Sequence, residues 1–170
     1  MHSTGSIYVI PCCAGRVVKL NPIVKSMTHI GPDFGEHEWQ SKWFRGAMTD
    51  NGIIYYVPHS CNRGILKIDT NTDTSTELDV NFLPEQGWVM WTSCALALDG
   101  CIYFIPLNAR RVMKLDPNSS DAIASVGDDL GPDSDKYSGT VLGIDGCVDG
   151  IPKRSTRILK YDPINYVTSL

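Results

Sequence analysis

Residues 100–117, GCIYFIPLNARRVMKLDP, are the strongest indication of the fold because this stretch is one of four recognisable copies in the chain. The other copies are GSIYVIPCCAGRVVKLNP from Gly5, GIIYYVPHSCNRGILKIDT from Gly52 and GCVDGIPKRSTRILKYDP from Gly146. One proline of each copy recurs at intervals of 47, 48 and 46 positions, as Pro11, Pro58, Pro106 and Pro152. A repeat period of this length is typical of propeller blades.

Each repeat period contains segments for four short strands. The first strand follows a large aromatic residue, and an Asn-Gly or Asp-Gly pair then leads into the second strand. These pairs are strong signals for a two-residue hairpin, in which both turn residues have positive φ. The repeat proline ends the second strand, because proline has no N–H to donate to a strand ladder. The aromatic residues, which we expect to pack between neighbouring blades, are Trp43, Trp91 and Tyr137.

The sequence therefore predicts an all-β protein, a β-propeller of four-stranded antiparallel blades. No helical pattern persists, because a Gly or Pro interrupts it within about two turns. The chain begins at a second strand and its last copy ends after a third strand, which gives about 14 strands, or about 3.5 blades, and an incomplete ring. We expect a single domain over residues 1–170, with repeats at approximately 5–50, 51–99, 100–145 and 146–170.

Composition and charge exclude several classes of partner. A chain of 170 residues with 42% hydrophobic residues can bury one ordinary core. The formal net charge of −4 is spread along the chain without a dense run of Lys or Arg, so nucleic acid is not expected as a partner. No apolar run is long enough to span a membrane, and the N-terminal segment lacks a secretory signal pattern. The pattern favours a soluble protein that is intracellular or organellar rather than secreted, without specifying the compartment.

The cysteines and acidic turns do not indicate a cofactor. The six cysteines are Cys12, Cys13, Cys61, Cys94, Cys101 and Cys147. A chain with an ordinary core does not depend on disulfides, and a thiol behaves as a small apolar group, so we expect structural thiols. No CxxC pair is present, and His59 with Cys61 is an isolated HxC. Asp69, Asn71 and Asp73 have calcium-loop spacing, but Thr74 stands where glycine is required, so we interpret this stretch as a turn.

Two stretches of the chain resemble a known repeat type. KWFRGAMTDNGIIYYVP and KYSGTVLGIDGCVDGIP are similar to the pattern GKWxGGVLAxDGxIYxIP followed by VLKIDP. This pattern occurs in propeller-like repeat proteins of algae and oomycetes, which are distantly similar to NHL-like and kelch-like blades. The resemblance covers about residues 5–163 and implies the fold, but it implies no catalytic residues. WVMWTSC at residues 88–94 lacks the glycine pair of the pattern, and Asp149 replaces the tyrosine of IYxIP.

Four arginines precede the third strands and are candidates for a binding site. They are Arg16, Arg63, Arg111 and Arg157. If the loops between second and third strands share one face of the propeller, these guanidinium groups form an arc that can bind carboxylates or phosphates. The alternative is that each arginine covers apolar surface with its stem and pairs with a nearby acid.

The long connections between blades suggest a protein-contact surface. They carry acidic residues together with Trp39 and Trp88, and aromatic anchors surrounded by polar groups are typical of protein interfaces. His59 lies in a loop on the same expected face. An ordinary solvated loop is the alternative interpretation of these connections.

The leading functional hypothesis is a non-catalytic interaction or scaffold module, a subunit that docks on protein partners or on its own copies through open blade edges. The second hypothesis is a propeller enzyme of the lyase or lactonase type, which requires acids or histidines that converge at the ring centre. A lectin-like ring that binds a ligand through Trp39, Trp88 and the arginines is the third. No nucleophile elbow, phosphate loop or zinc-hydrolase motif supports an enzyme.

Overall fold

A computed structural model describes residues 5–35, 41–59, 63–80, 89–165 and 167–169. Over these residues the chain forms fifteen strands in four antiparallel sheets, and no helix is present that could cross a membrane. Blade 1 has three strands, and each of blades 2, 3 and 4 has four. The predicted all-β class, four-stranded blades and incomplete ring are confirmed.

The strands follow one another in each sheet in chain order, with the first strand of blades 2 to 4 at the sheet edge. Blade 1 comprises β1 (Ile7–Val9), β2 (Val17–Asn21) and β3 (Ser26–Ile30). Blade 2 comprises β4 (Trp43–Met48), β5 (Ile53–Pro58), β6 (Ile65–Asp69) and β7 (Thr74–Leu78). Blade 3 comprises β8 (Trp91–Leu96), β9 (Ile102–Pro106), β10 (Val112–Asp116) and β11 (Ala122–Val126). Blade 4 comprises β12 (Tyr137–Leu142), β13 (Val148–Pro152), β14 (Leu159–Asp162) and β15 (Val167–Ser169).

Blade 4 corrects the predicted strand count by one. β15 pairs with β14 over three residues and completes the sheet as its fourth strand. The sequence signal for this strand is weak, because only two β-branched residues, Val167 and Thr168, follow the turn. The sheet nevertheless forms, since β14 offers a free ladder edge.

The hairpins at the Asn-Gly and Asp-Gly pairs are one residue longer than the sequence predicts. The Thr49 N–H donates to the Ile53 carbonyl at 2.8 Å, and the Gly52 N–H donates to the Thr49 carbonyl at 3.0 Å. Only Gly52 has positive φ, whereas Asn51 does not. The loop is therefore the three-residue type, a turn followed by a left-handed glycine. The hairpins at residues 97–101 and 143–147 have the same hydrogen bonds.

The aromatic residue that begins each inner strand is buried, as predicted. Trp43 is fully buried, and its indole N–H donates to the Gly64 carbonyl at 2.8 Å. The Trp91 indole N–H donates to the Arg111 carbonyl at 3.4 Å. A one-residue bulge follows each of these aromatic residues, including Tyr137. The bulge lets the aromatic side chain face the third strand, while the side chains of the rest of the strand still alternate between the two faces of the sheet.

The apolar core is divided among the seams between consecutive blades. One cluster joins blades 1 and 2, a second joins blades 2 and 3, and a third joins blades 3 and 4. Fully buried members include Ile68, Phe104 and Tyr161. None of these clusters joins blade 4 to blade 1 within the described part of the chain.

Two seams carry the same polar contact, which we call the Tyr–Lys–Asp clamp. At the first seam, Asp73 of blade 2 accepts from the Tyr8 hydroxyl at 2.7 Å and from the Lys19 ammonium at 2.6 Å. At the second seam, Asp121 of blade 3 accepts from the Tyr55 hydroxyl at 2.5 Å and from the Lys67 ammonium. Burial and the hydrogen bond to Asp121 raise the pKa of Tyr55, so the tyrosine is a neutral donor.

Among the described residues, no such clamp joins the blades at the third seam. Tyr103 and Lys114 occupy the matching positions of blade 3, but both reach Asp99 in the inner hairpin of their own blade. The Tyr103 hydroxyl donates to Asp99 at 2.7 Å, and the Lys114 ammonium lies 3.8 Å from the same carboxylate. The seam to blade 4 is held instead by the apolar cluster and by the tilted contact of Tyr103 with Tyr161 at 5.1 Å.

Removal of the clamp carboxylate should destabilise the fold. Asp121→Ala is expected to lower the free energy of unfolding by about 2 kcal/mol, because the Tyr55 hydroxyl and the Lys67 ammonium lose their shared acceptor in a partly buried position. Urea unfolding followed by tryptophan fluorescence measures this loss. Asp50→Ala, at an exposed turn position, is the matched control and should change the value by less than about 0.5 kcal/mol. Equal stability of the two variants would show that the clamp contributes nothing.

The thiols should differ in reactivity according to their burial. Burial raises the pKa of Cys94 to about 12 and that of Cys101 to about 11, whereas Cys13 is exposed. The thiolate is the nucleophile, so at pH 8 iodoacetamide should label Cys13 and leave Cys94 and Cys101 unlabelled until urea unfolds the chain. Peptide mass spectrometry reads each site separately. Rapid labelling of Cys94 in the native chain would contradict this packing.

Candidate functional site

The loops after the second strands and the connections between blades lie together at one end of the sheets. The Phe34 N–H donates to the Gly15 carbonyl at 2.7 Å, and the Leu130 N–H donates to the Arg110 carbonyl at the same distance. Each bond joins a connection to the loop of the blade that it leaves. We call this surface the loop face, and the backbone bonds make it a fixed surface.

The first two predicted arginines are held by contacts within the chain. Arg16 pairs with Asp33 at 3.4 Å, and both side chains are about half exposed. Arg63 pairs with Glu77 of its own blade at 3.1 Å and donates to the Phe34 carbonyl at 2.6 Å. The Arg63 guanidinium also lies 5.5 Å from the centre of the Trp43 ring. Arg63 therefore contributes to the seam between blades 1 and 2.

The other two predicted arginines differ from each other. Arg111 donates to the Gly127 carbonyl, and Arg157 is exposed without a side-chain hydrogen bond or ion pair among the described residues. The strand register aligns Arg63 with Arg110, which pairs with Asp129 at 2.9 Å, rather than with Arg111. The four predicted arginines thus share the loop face but do not form one set of free guanidinium groups.

The remaining predicted binding residues are only partly described. His59 is partly buried, and its ring lies tilted against Phe44 with 5.3 Å between the ring centres. Burial lowers the pKa of His59, so it is neutral at physiological pH. Trp39, Trp88 and Cys61 lie outside the described residues. No group of three His, Cys, Asp or Glu side chains that could hold a metal occurs over the described ranges.

Two buried lysines under the loop face were missed by the sequence analysis. Lys42 is 1% exposed, and its ammonium donates to the Gly35 carbonyl at 2.7 Å and to the Cys13 carbonyl at 3.1 Å. Lys136 donates in the same way to the Asp133 carbonyl at 2.5 Å. Burial lowers the pKa of both lysines. A lysine directly before the aromatic residue in two of three periods was the available sequence signal.

A cavity of about 430 Å³ opens beside the second of these lysines. Its lining includes Lys136, Asp133, Tyr137, Arg154 and Ser155. The ammonium of Lys136 is directed to backbone carbonyls, so the cavity offers mainly Arg154 as an accessible cation. This arrangement can receive a small polar group.

An unpaired apolar surface of the described chain is the outer face of blade 1, the face turned away from blade 2. Ile7 and Val9 are each 47% exposed on this face, and Met27 is 68% exposed. Their counterparts on blade 3 in the strand register are Ile102, Phe104 and Ile123, which pack in the seam with blade 2. Blade 1 therefore keeps a seam-forming surface without a neighbouring sheet.

Blade 4 presents a second apolar face, turned away from blade 3. Ile151 and Ile158 on this face are 48% and 60% exposed. Their counterparts on blade 3, Ile105 and Val112, are buried in the seam with blade 4. A groove of about 350 Å³ runs along the same face beside Lys160. We call these two surfaces the open faces.

Solved structures with the same chain path are propellers. Over 99% of this chain, virginiamycin B lyase from Staphylococcus aureus superimposes with a TM-score of 0.75 at 14% identity, and the match covers 52% of the lyase. A streptogramin B lyase gives a TM-score of 0.71 at 17% identity, with coverage of 95% of this chain and 49% of the lyase.

A third neighbour is the extracellular domain of a one-component system from B. thetaiotaomicron, with a TM-score of 0.71, 9% identity and coverage of 99% and 21%. The sequence matches no family model and no curated protein. The chain spans about half the length of the two lyases that it resembles. At these identities the likeness shows the propeller fold.

Proposed function

We propose that this chain is a non-catalytic interaction module of the propeller type, which assembles through the open faces of blades 1 and 4. The observation that carries the proposal is the exposed apolar surface on both faces. The matching apolar residues of blade 3 pack in the seams with blades 2 and 4. Burial of such a face against a partner stabilises the assembly by roughly 25 cal/mol per Å² of apolar area removed from water. Exposed apolar patches of this kind mark interaction surfaces on proteins.

The inner strands favour this proposal over a propeller enzyme. An enzyme of the lyase or lactonase type would need acids or histidines that converge at the ring centre. The three described inner strands are WFRGAM, WTSCAL and YSGTVL, without an Asp, Glu or His. Asp99 and Asp145, near the ends of these strands, are already paired with Lys114 and Lys160.

The cavity beside Lys136 supports a second candidate function, the binding of a small polar ligand at the loop face. Arg154 is its accessible cation, since 72% of its side chain is exposed. A thermal-shift screen of carboxylates, phosphates and sugars separates this function from the first one. A ligand that raises the melting temperature of the wild-type chain but not that of Arg154→Ala would establish the cavity as a site.

The interaction proposal predicts that a charge on an open face abolishes association. Ile7→Asp and Ile151→Asp should each remove the associated species, because a carboxylate cannot be buried in an apolar seam without a partner. Light scattering on the purified chain and cross-linking with mass spectrometry in the native extract measure self-association and association with other proteins. The melting temperature should fall by no more than a few degrees, since both side chains are half exposed.

The control is Leu98→Asp, which alters an apolar residue that is 79% exposed in the inner hairpin of blade 3, away from both open faces. This variant should associate as the wild type does. If all three variants associate equally, or if the wild-type chain associates with nothing at any concentration tested, the interaction proposal is wrong.

A further inference from the structure

One backbone position recurs in three blades with the same conformation and a different charge. Directly before the last strand of blades 1, 2 and 3 stand Lys25, Asp73 and Asp121, with φ of 54°, 56° and 58°. In blades 2 and 3 this position receives the tyrosine and lysine of the preceding blade. In blade 1 the same position holds an ammonium group instead of a carboxylate.

On blade 4 a carboxylate appears at a position where the other blades have a neutral tyrosine. In the strand register, Tyr8 lies opposite Lys19, Tyr55 opposite Lys67 and Tyr103 opposite Lys114, whereas Asp149 lies opposite Lys160. The clamp tyrosine is thus replaced by a carboxylate on the open face of blade 4. The Asp149 Oδ1 atom is buried and has no hydrogen-bond partner in the described structure.

These two substitutions are complementary to each other. If blade 4 meets blade 1 as blade 1 meets blade 2, the position of Lys25 comes to the position of Asp149. Lys160 does not oppose this contact, because its ammonium is already paired with Asp145. The seam then contains the carboxylates of Asp145 and Asp149 and the ammonium groups of Lys160 and Lys25. Compared with the clamp, the carboxylate lies on the preceding blade and the ammonium group on the following blade.

We propose that the partner of each open face is a second copy of this chain, with blade 4 of one copy on blade 1 of the other. Lys25 of one copy pairs with Asp149 of the other, and a twofold axis makes both seams identical. Ile151 and Ile158 pack against Ile7, Val9 and Met27 across each seam. The inference rests on the proposed interaction function, and it names the occupant of both faces.

The extent of the ring agrees with two copies. The chain matches 52% of virginiamycin B lyase and 49% of the streptogramin B lyase, so two copies supply about the length of one such propeller. Two seams would also cover the apolar surface of all four open faces in the pair. A heterologous contact that closes on itself gives a defined dimer rather than a filament.

Charge reversal tests the pairing directly. Light scattering should give the wild-type chain a mass of twice 18.7 kDa. Lys25→Glu and Asp149→Lys should each weaken the dimer at least about tenfold, since each places like charges together at both seams. An equimolar mixture of these two variants should recover the wild-type dissociation constant within about threefold. In the mixed dimer, one seam has the native pair and the other has the reversed pair.

Asp50→Lys is the matched control because it changes the charge by the same amount at an exposed turn of blade 2. It should dimerise as the wild type does, and it should not rescue Lys25→Glu when the two are mixed. Circular dichroism establishes that each variant is folded. If Asp149→Lys does not fold, Asp149→Asn replaces it and should weaken the dimer. Its mixture with Lys25→Glu should recover only part of the wild-type affinity, because one seam has the native pair and the other has no ion pair.

The results separate this inference from the interaction function on which it rests. A monomeric wild-type chain at about 100 μM, or a dimer that neither reversal weakens, overturns the Lys25–Asp149 seam. In that case the interaction function still stands if Ile7→Asp and Ile151→Asp abolish association with another protein. Loss of self-association in both charge variants and its return on mixing supports the inference.

Discussion

The burial of one blade face against the next is the constraint on which this structure depends. A four-stranded antiparallel sheet has two faces, and in this chain the second strands of blades 2 and 3 carry apolar side chains on both of them. Such a sheet is stable in water only when both faces are covered. Blades 2 and 3 meet this requirement with two neighbours each, and polar clamps add hydrogen bonds at the seams on both sides of blade 2. The repeated residues therefore determine the contacts between neighbouring sheets as well as the strands of each sheet.

The parts of the fold that the sequence predicted are those that a single residue type enforces. Proline ends the second strands, as at Pro58, and glycine after Asn or Asp begins them, as at Gly52. The aromatic residue at Trp43 is buried because its indole ring fills the seam. The turn length was predicted one residue short, because the signal of an Asn-Gly pair does not reveal whether Asn51 itself adopts positive φ.

The candidate site was less accessible to sequence analysis, because its residues act across blades. Asp73 and Tyr8 lie 65 positions apart, and the turn formed around Asp69 gives no indication of the clamp. The predicted arc of arginines assumed that equal spacing means equal environment. The one-residue difference that aligns Arg63 with Arg110 could be seen only from the strand register. Lys42 was missed because a lysine beside a tryptophan usually indicates an exposed strand end.

The division of the core into separate seams has a consequence for how the chain loses its structure. Each apolar cluster joins only two consecutive blades, so each blade is stabilised only by contacts with its direct neighbours, as in linear repeat proteins. Within the described residues, blade 2 and blade 3 each pack against two blades, whereas blade 1 and blade 4 each pack against one. Fraying therefore starts at the ends and proceeds inward, and the amides of β5 and β9 belong to the last cooperative unit to open. Closure of a ring would remove the ends and, with them, the points from which opening begins.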